Sequence, residues 1–174
     1  MANCETIEKE VAYLIKKFST RDPFKLCDEL NIIVKYKSLC PQIKAFFFYQ
    51  SRIKTIVLNT ELDAELQRIL CAHELGHAVL HSKFLAESRG FGELKLFDSE
   101  TVTEYEANIF AAELLVDDSE LLDLLKSGEY SFFQLASILY VPAELLDFKI
   151  RALSAKGYEI DIPYIATADF LKSK

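Results

Sequence analysis

The chain has 174 residues, with 20 Lys plus Arg against 27 Asp plus Glu, a formal net charge of -7, and 51% hydrophobic and 12% aromatic content. That apolar content excludes a disordered chain, and 5 Gly with 4 Pro exclude collagen-like or linker composition. The acidic balance excludes a protein built mainly to grip phosphate backbones, so no direct nucleic-acid binding is expected, and the length suits one or at most two domains.

The first ten residues lack the basic start and apolar run of a signal peptide, and the longest uninterrupted apolar run, residues 45–49, is far short of the ~20 needed to cross a bilayer. A cytoplasmic protein with no membrane partner is therefore expected. Cysteines at 4, 27, 40 and 71 form no Cys-x-x-Cys pair and are expected to be free thiols.

In chain order, Ile7, Val11, Leu14, Ile15 and Phe18 recur at helical spacing and predict a helix over residues 5–18. Asp22-Pro23 places a capping side chain before a proline, predicting a short helix over 23–30. The period then changes. Residues 31–37, 44–50 and 53–59 are short and rich in Ile, Val, Phe and Tyr, which predicts three strands, the last two a hairpin. Phe46-Phe47-Phe48 is expected to be a strand buried on both faces. Helical period returns over 63–82, with Asp63 as cap. Residues 83–100 are less regular and predict a loop; 101–116 predict an alanine-rich helix. Residues 120–126, 132–139 and 142–155 predict three shorter helices forming a small helical lobe.

The chemistry lies in the helix over 63–82. His73-Glu74-Leu75-Gly76-His77 is a His-Glu-x-x-His motif. Residues four apart on a helix are offset by about 40°, so His73 and His77 aim at one point while Glu74 flanks it. Two histidines are half of a hydrolytic zinc site, which usually takes three protein ligands and a water and leaves the glutamate free to accept a proton.

The third ligand must come from elsewhere. His81 shares the stripe, but three ligands along one straight helix would span about 12 Å, too long for bonds of ~2 Å to one ion. His81 is expected to be structural. Glu104 and Asn108 are four apart and share a face of the next long helix, whereas Glu106 points away from it, so geometry favours Glu104. Asn108 is then placed to accept a ring N–H of His73 or His77 and fix its tautomer. Ala107, Ala111 and Ala112 are small enough to let this helix approach its neighbour closely. Cys71 lies on the wrong side of its helix for a metal and is expected to be inert. Tyr49, Arg89 and Tyr105 are candidates to polarise a carbonyl, and no spacing argument selects among them.

His73-Glu-Leu-Gly-His77 followed by Glu104-Tyr-Glu-Ala-Asn108-Ile-Phe-Ala-Ala-Glu-Leu-Leu-Val116 resembles the ImmA/IrrE family of zinc metallo-endopeptidases over roughly residues 25–155. The resemblance implies an α+β, zincin-like fold with a small three-stranded antiparallel sheet, an active-site helix and surrounding helices. It divides the chain into a catalytic unit, 1–118, and a helical C-terminal lobe, 119–174, expected to share one compact domain. By resemblance the zinc ligands are His73, His77 and Glu104, and Glu74 is the general base. The strand over 54–59 is expected to form the sheet edge over the cleft. One departure is visible: the family's helix often ends Leu-Leu-Met-Pro, and here it ends Leu114-Leu115-Val116-Asp117.

The resemblance further implies a protein substrate, a helix-turn-helix repressor from a prophage or mobile element. That repressor would be a separate polypeptide, since the predicted strands begin near residue 31 and leave no room for such a domain ahead of them. Two other readings stay open: a non-catalytic anti-repressor that sequesters a regulator, and a toxin or stress-response protein of the same fold.

Overall fold

The computed structural model describes residues 4–82 and 100–160, and among these residues seven helices accompany a three-stranded sheet. The elements are α1 (Cys4–Phe18), α2 (Pro23–Glu29), β1 (Ile32–Lys37), β2 (Ala45–Gln50), β3 (Ile53–Asn59), α3 (Ala64–Leu80), α4 (Glu100–Leu115), α5 (Asp118–Ser127), α6 (Phe132–Ile138) and α7 (Ala143–Ala155). Every predicted helix and strand is present, with ends displaced by two residues or fewer. The irregular segment predicted over 83–100, including Arg89, lies outside the described residues apart from Glu100, which opens α4.

Local chemistry sets the boundaries. The Asp22 carboxylate accepts the Phe24 N–H at 2.9 Å with Pro23 in the first helical position, and Asp63 accepts the Leu66 N–H at 2.8 Å. Asp117, standing where the resembled family often has proline, caps α5 by accepting the N–H groups of Ser119 at 2.9 Å and Glu120 at 3.3 Å. Ser119 and the Arg21 guanidinium also bond its carboxylate, and together these partners hold its pKa down to about 2.

The sheet corrects an expectation. Its order is β1-β3-β2, with β1 parallel and β2 antiparallel to β3, so it is mixed where an all-antiparallel sheet was expected. Burial explains the order: Ile56, Val57 and Leu58 are buried in succession, which only a strand covered on both faces and paired on both sides can satisfy. β3 therefore takes the centre. β2 folds back beside it, and β1 is left with the other edge. The residues linking β1 to β2 are held by buried Asn59, whose side-chain amide donates to the Ile43 carbonyl at 3.0 Å while its oxygen accepts the Leu39 N–H at 3.3 Å.

Two further expectations fall with the strand order. The strand over 54–59 is central, so it cannot be a sheet edge; among the described residues the edges are β1 and β2, and β2 brings its Phe47 N–H to Glu74. Nor is Phe46-Phe47-Phe48 buried on both faces: Phe47 packs against the core, while Phe46 and Phe48 are 38% and 36% exposed. An edge strand with one solvent-facing side alternates in this way.

α3 lies across the sheet and packs along α4, which in turn contacts α1 and α7. Where α1, α4, α5 and α7 meet, fully buried Lys149 pairs with Glu113 at 2.9 Å and with Asp118, and Lys156 bonds Asp118 at 2.8 Å, Glu8 at 3.1 Å and Glu113 at 3.2 Å. Desolvation at such a site is offset only by this number of partners. No helix among the described residues is long and apolar enough to cross a membrane.

The β2–β3 hairpin turns on Ser51 and Arg52, with φ of 53° and 66°, between the paired residues Gln50 and Ile53. Two successive left-handed residues define the turn that suits Asn-Gly. Replacing Ser51-Arg52 by Asn-Gly is expected to stabilise the fold by about 1 kcal/mol, measured as a higher midpoint in urea with an unchanged slope.

Candidate metal centre and active site

α3 enters the core through its C-terminal half, and residues 69–76 are all buried. His73 and His77 lie one turn apart, with Nε2 atoms 3.2 Å from each other. Glu104, from the first half of α4, closes the triangle: its Oε2 is 3.3 Å from His73 Nε2 and its Oε1 is 3.4 Å from His77 Nε2. These three side chains form a candidate metal-binding group. Ligands at ~2.0–2.1 Å in a tetrahedron stand about 3.3 Å apart, so the observed edges match a zinc-sized ion without rearrangement.

The electrostatics suit a cation. Burial opposes the charge on Glu104, yet the hydrogen bonds and positive potential of His73 and His77 hold its carboxyl far below the usual carboxylate range. Glu74, next to His73, is nine-tenths buried; burial pushes its pKa up to about 7, His77 opposes the rise, Glu104 adds to it, and the Phe47 N–H of β2 donates to the carboxylate and lowers it. A carboxylate poised near neutrality beside a metal-sized gap can act as a base.

His81 takes no part in the triangle. It closes α3, and burial pushes its imidazole below the ordinary value although Glu106 pulls the other way. Its Nδ1 stands 3.1 Å from Nδ1 of His77, and its Nε2 stands 2.9 Å from Oε2 of Glu106. Helix-face spacing relative to Asn108 does not reveal this buried pair. The recurrence of His at 73, 77 and 81 was the available signal. Asn108 is fully buried one turn beyond Glu104. Cys71 is buried with its Sγ 3.8 Å from that of Cys27, and that contact, with burial, drives its thiol pKa upward, in keeping with an inert residue. Tyr105 packs edge-on against Phe148 of α7, ring centres 5.6 Å apart.

Gly76 sets the distance between the two helices that supply the candidate group. A Cβ there would stand 3.1 Å from Cβ of Phe110, 3.2 Å from Cα of Ala107 and 3.3 Å from its carbonyl oxygen. The small residues predicted to allow close approach do so at Ala107, opposite a glycine on the partner helix.

Residues 27–151 match the family model of the IrrE N-terminal-like domain, Peptidase M78. The chain is 38% identical over 143 residues to "Uncharacterized immunity region protein 2" of Bacillus phage phi105, covering 82% of this chain and 88% of that protein. It is 24% identical over 154 residues to "Metallopeptidase ImmA" of Bacillus subtilis (strain 168), covering 86% of each.

Gly76→Ala is expected to push α4 outward by a few tenths of an ångström. The overpacking costs about 1–3 kcal/mol, which outweighs the ~1 kcal/mol that alanine gains over glycine in a helix. Because Glu104 sits one turn from Ala107, any metal affinity of the candidate group, measured by chelator competition, should fall about tenfold while helical content is kept.

Proposed function

The chain belongs to the Peptidase M78 family of IrrE N-terminal-like domains and is a metallopeptidase, and from that premise we propose that it is a zinc-dependent endopeptidase of zincin-like fold that cleaves a separate regulatory protein, a helix-turn-helix repressor. The observation that carries the zinc assignment is the triangle of His73, His77 and Glu104, whose edges equal those of a tetrahedral nitrogen and oxygen donor set. When bound, zinc supplies Lewis acidity at neutral pH.

The chain's own residues supply the rest. Glu74 accepts the proton of the attacking water and returns it to the leaving amine. Its burial keeps the carboxylate weakly hydrated and basic, and the Phe47 N–H holds it in place. Asn108 serves the ligands: a His73 ring bonded through Nε2 carries its proton on Nδ1, which has no partner among the described residues and is buried. We assign Asn108, fully buried and one turn from Glu104, as the acceptor that this Nδ1–H would take up once an ion holds Nε2.

Substrate approach follows from the strand order. β2 is an edge strand, and its Phe47 N–H reaches Glu74, so the edge borders the base. An extended segment added along that edge passes the reacting centre while backbone hydrogen bonds hold it. Cleavage is thus expected in locally extended or unfolded stretches. A repressor as target is supported by the phage relative, whose name places that protein in an immunity region.

Co-expression with a repressor encoded beside this chain, followed by the repressor's length and a reporter promoter, tests the reading. Wild type should shorten the repressor and switch the promoter on; Glu74→Gln should bind zinc and do neither; Glu104→Ala should lose zinc. Derepression by Glu74→Gln with full-length repressor would establish sequestration instead. In the pH profile of kcat/KM, activity should rise with pH as Glu74 ionises, with an apparent pKa at or below about 7, since a bound cation favours the carboxylate.

A further inference from the structure

Beyond the three ligands, a second line of polar atoms runs from His77 toward α4. Its Nδ1 lies 3.1 Å from Nδ1 of His81, and Nε2 of His81 lies 2.9 Å from Oε2 of Glu106. The side chains of His81 and Glu106 are only 11% and 7% exposed, so water does not substitute for these bonds at low cost.

Proton counting allows one arrangement once His77 serves as a ligand. Its Nε2 is the atom turned toward His73 and Glu104, so Nε2 must be bare and the ring's proton must sit on Nδ1. That N–H donates to Nδ1 of His81, which therefore must be bare. The proton of His81 then sits on Nε2 and is donated to Glu106, whose carboxylate can only accept. Turning any link around sets two donors or two acceptors face to face.

We propose that His81 and Glu106 are positioning residues that hold His77 in its Nδ1–H tautomer and aim its Nε2 at the metal. This rests on the metallopeptidase reading of the triangle. A ligand imidazole that donates its other N–H is a better electron donor and a more rigid one, and such supporting contacts are worth about 10–100-fold in metal affinity. The relay also accounts for a buried carboxylate, Glu106, that the three-ligand site does not use.

The test is zinc affinity by chelator competition, read beside nitrogen-15 NMR of the His77 ring in zinc-loaded protein and the thermal midpoint of each variant. His81→Phe removes the acceptor and should weaken zinc about 10–100-fold; His81→Gln offers an amide oxygen in its place and should stay within about threefold of wild type. Glu106→Gln, nearly identical in shape, should weaken zinc by about tenfold and speed solvent exchange of the His77 Nδ1–H. Should His81→Phe fail to fold, the contrast of His81→Gln with Glu106→Gln decides. Unchanged affinity and exchange in Glu106→Gln, or equal losses in both His81 variants, would overturn the relay. A wild-type chain that binds no zinc would instead overturn the metal reading beneath it.

Discussion

The missing side chain at Gly76 is the constraint on which the catalytic arrangement depends. α3 carries His73, Glu74 and His77, and α4 carries Glu104, so the candidate metal-binding group is assembled from two helices and depends on their separation. Ala107 and Phe110 close on Gly76 to within about the limit of contact, and the edges of the ligand triangle follow from that closeness.

The remaining architecture keeps those two helices in place. The sheet supports α3 from one side, with Lys54 of β3 donating to the Ala78 carbonyl at 2.7 Å, and its edge strand brings a backbone N–H to Glu74. On the other side α1 and α7 hold α4, and the Lys149 and Lys156 pairs tie both of them to α5. Arg21 completes the frame by donating to the carbonyls of Glu113 and Leu114, at the end of α4, and to the Asp117 cap. Among the described residues, buried charge gathers at Glu74 and Glu106 beside the histidines of α3, at Glu113 and Lys149 near the far end of α4, and at Asp147, which pairs with Arg151.

Periodicity made most of this legible. Apolar spacing and caps located every described helix, and a helical wheel sufficed to expect Glu104, not Glu106 or His81, beside His73 and His77, where the candidate group has it. Strand order was not legible, since alternation along Ala45–Gln50 or burial along Ile53–Asn59 describes one strand and not its neighbours. The three phenylalanines misled for a related reason: a run of apolar residues fits a strand covered on both faces, and only the finding that β2 is an edge shows which rings meet water. The pairing of His81 with Glu106 was hidden because each was judged against the metal and neither against the other.

The candidate metal donors are not carried on a surface loop. His73 is buried in the same interior as Leu70, Leu75 and Phe110, so the donor set is assembled by the act of folding and is dispersed when the core opens. Mass action then joins two quantities that are separate in many enzymes. With an ion that binds the folded chain alone, each tenfold rise in its free concentration above the dissociation constant adds about 1.4 kcal/mol to the free energy of unfolding. For a chain whose candidate donors hold such an ion, loss of the ion would lower activity and stability together, and lifetime would then follow metal supply.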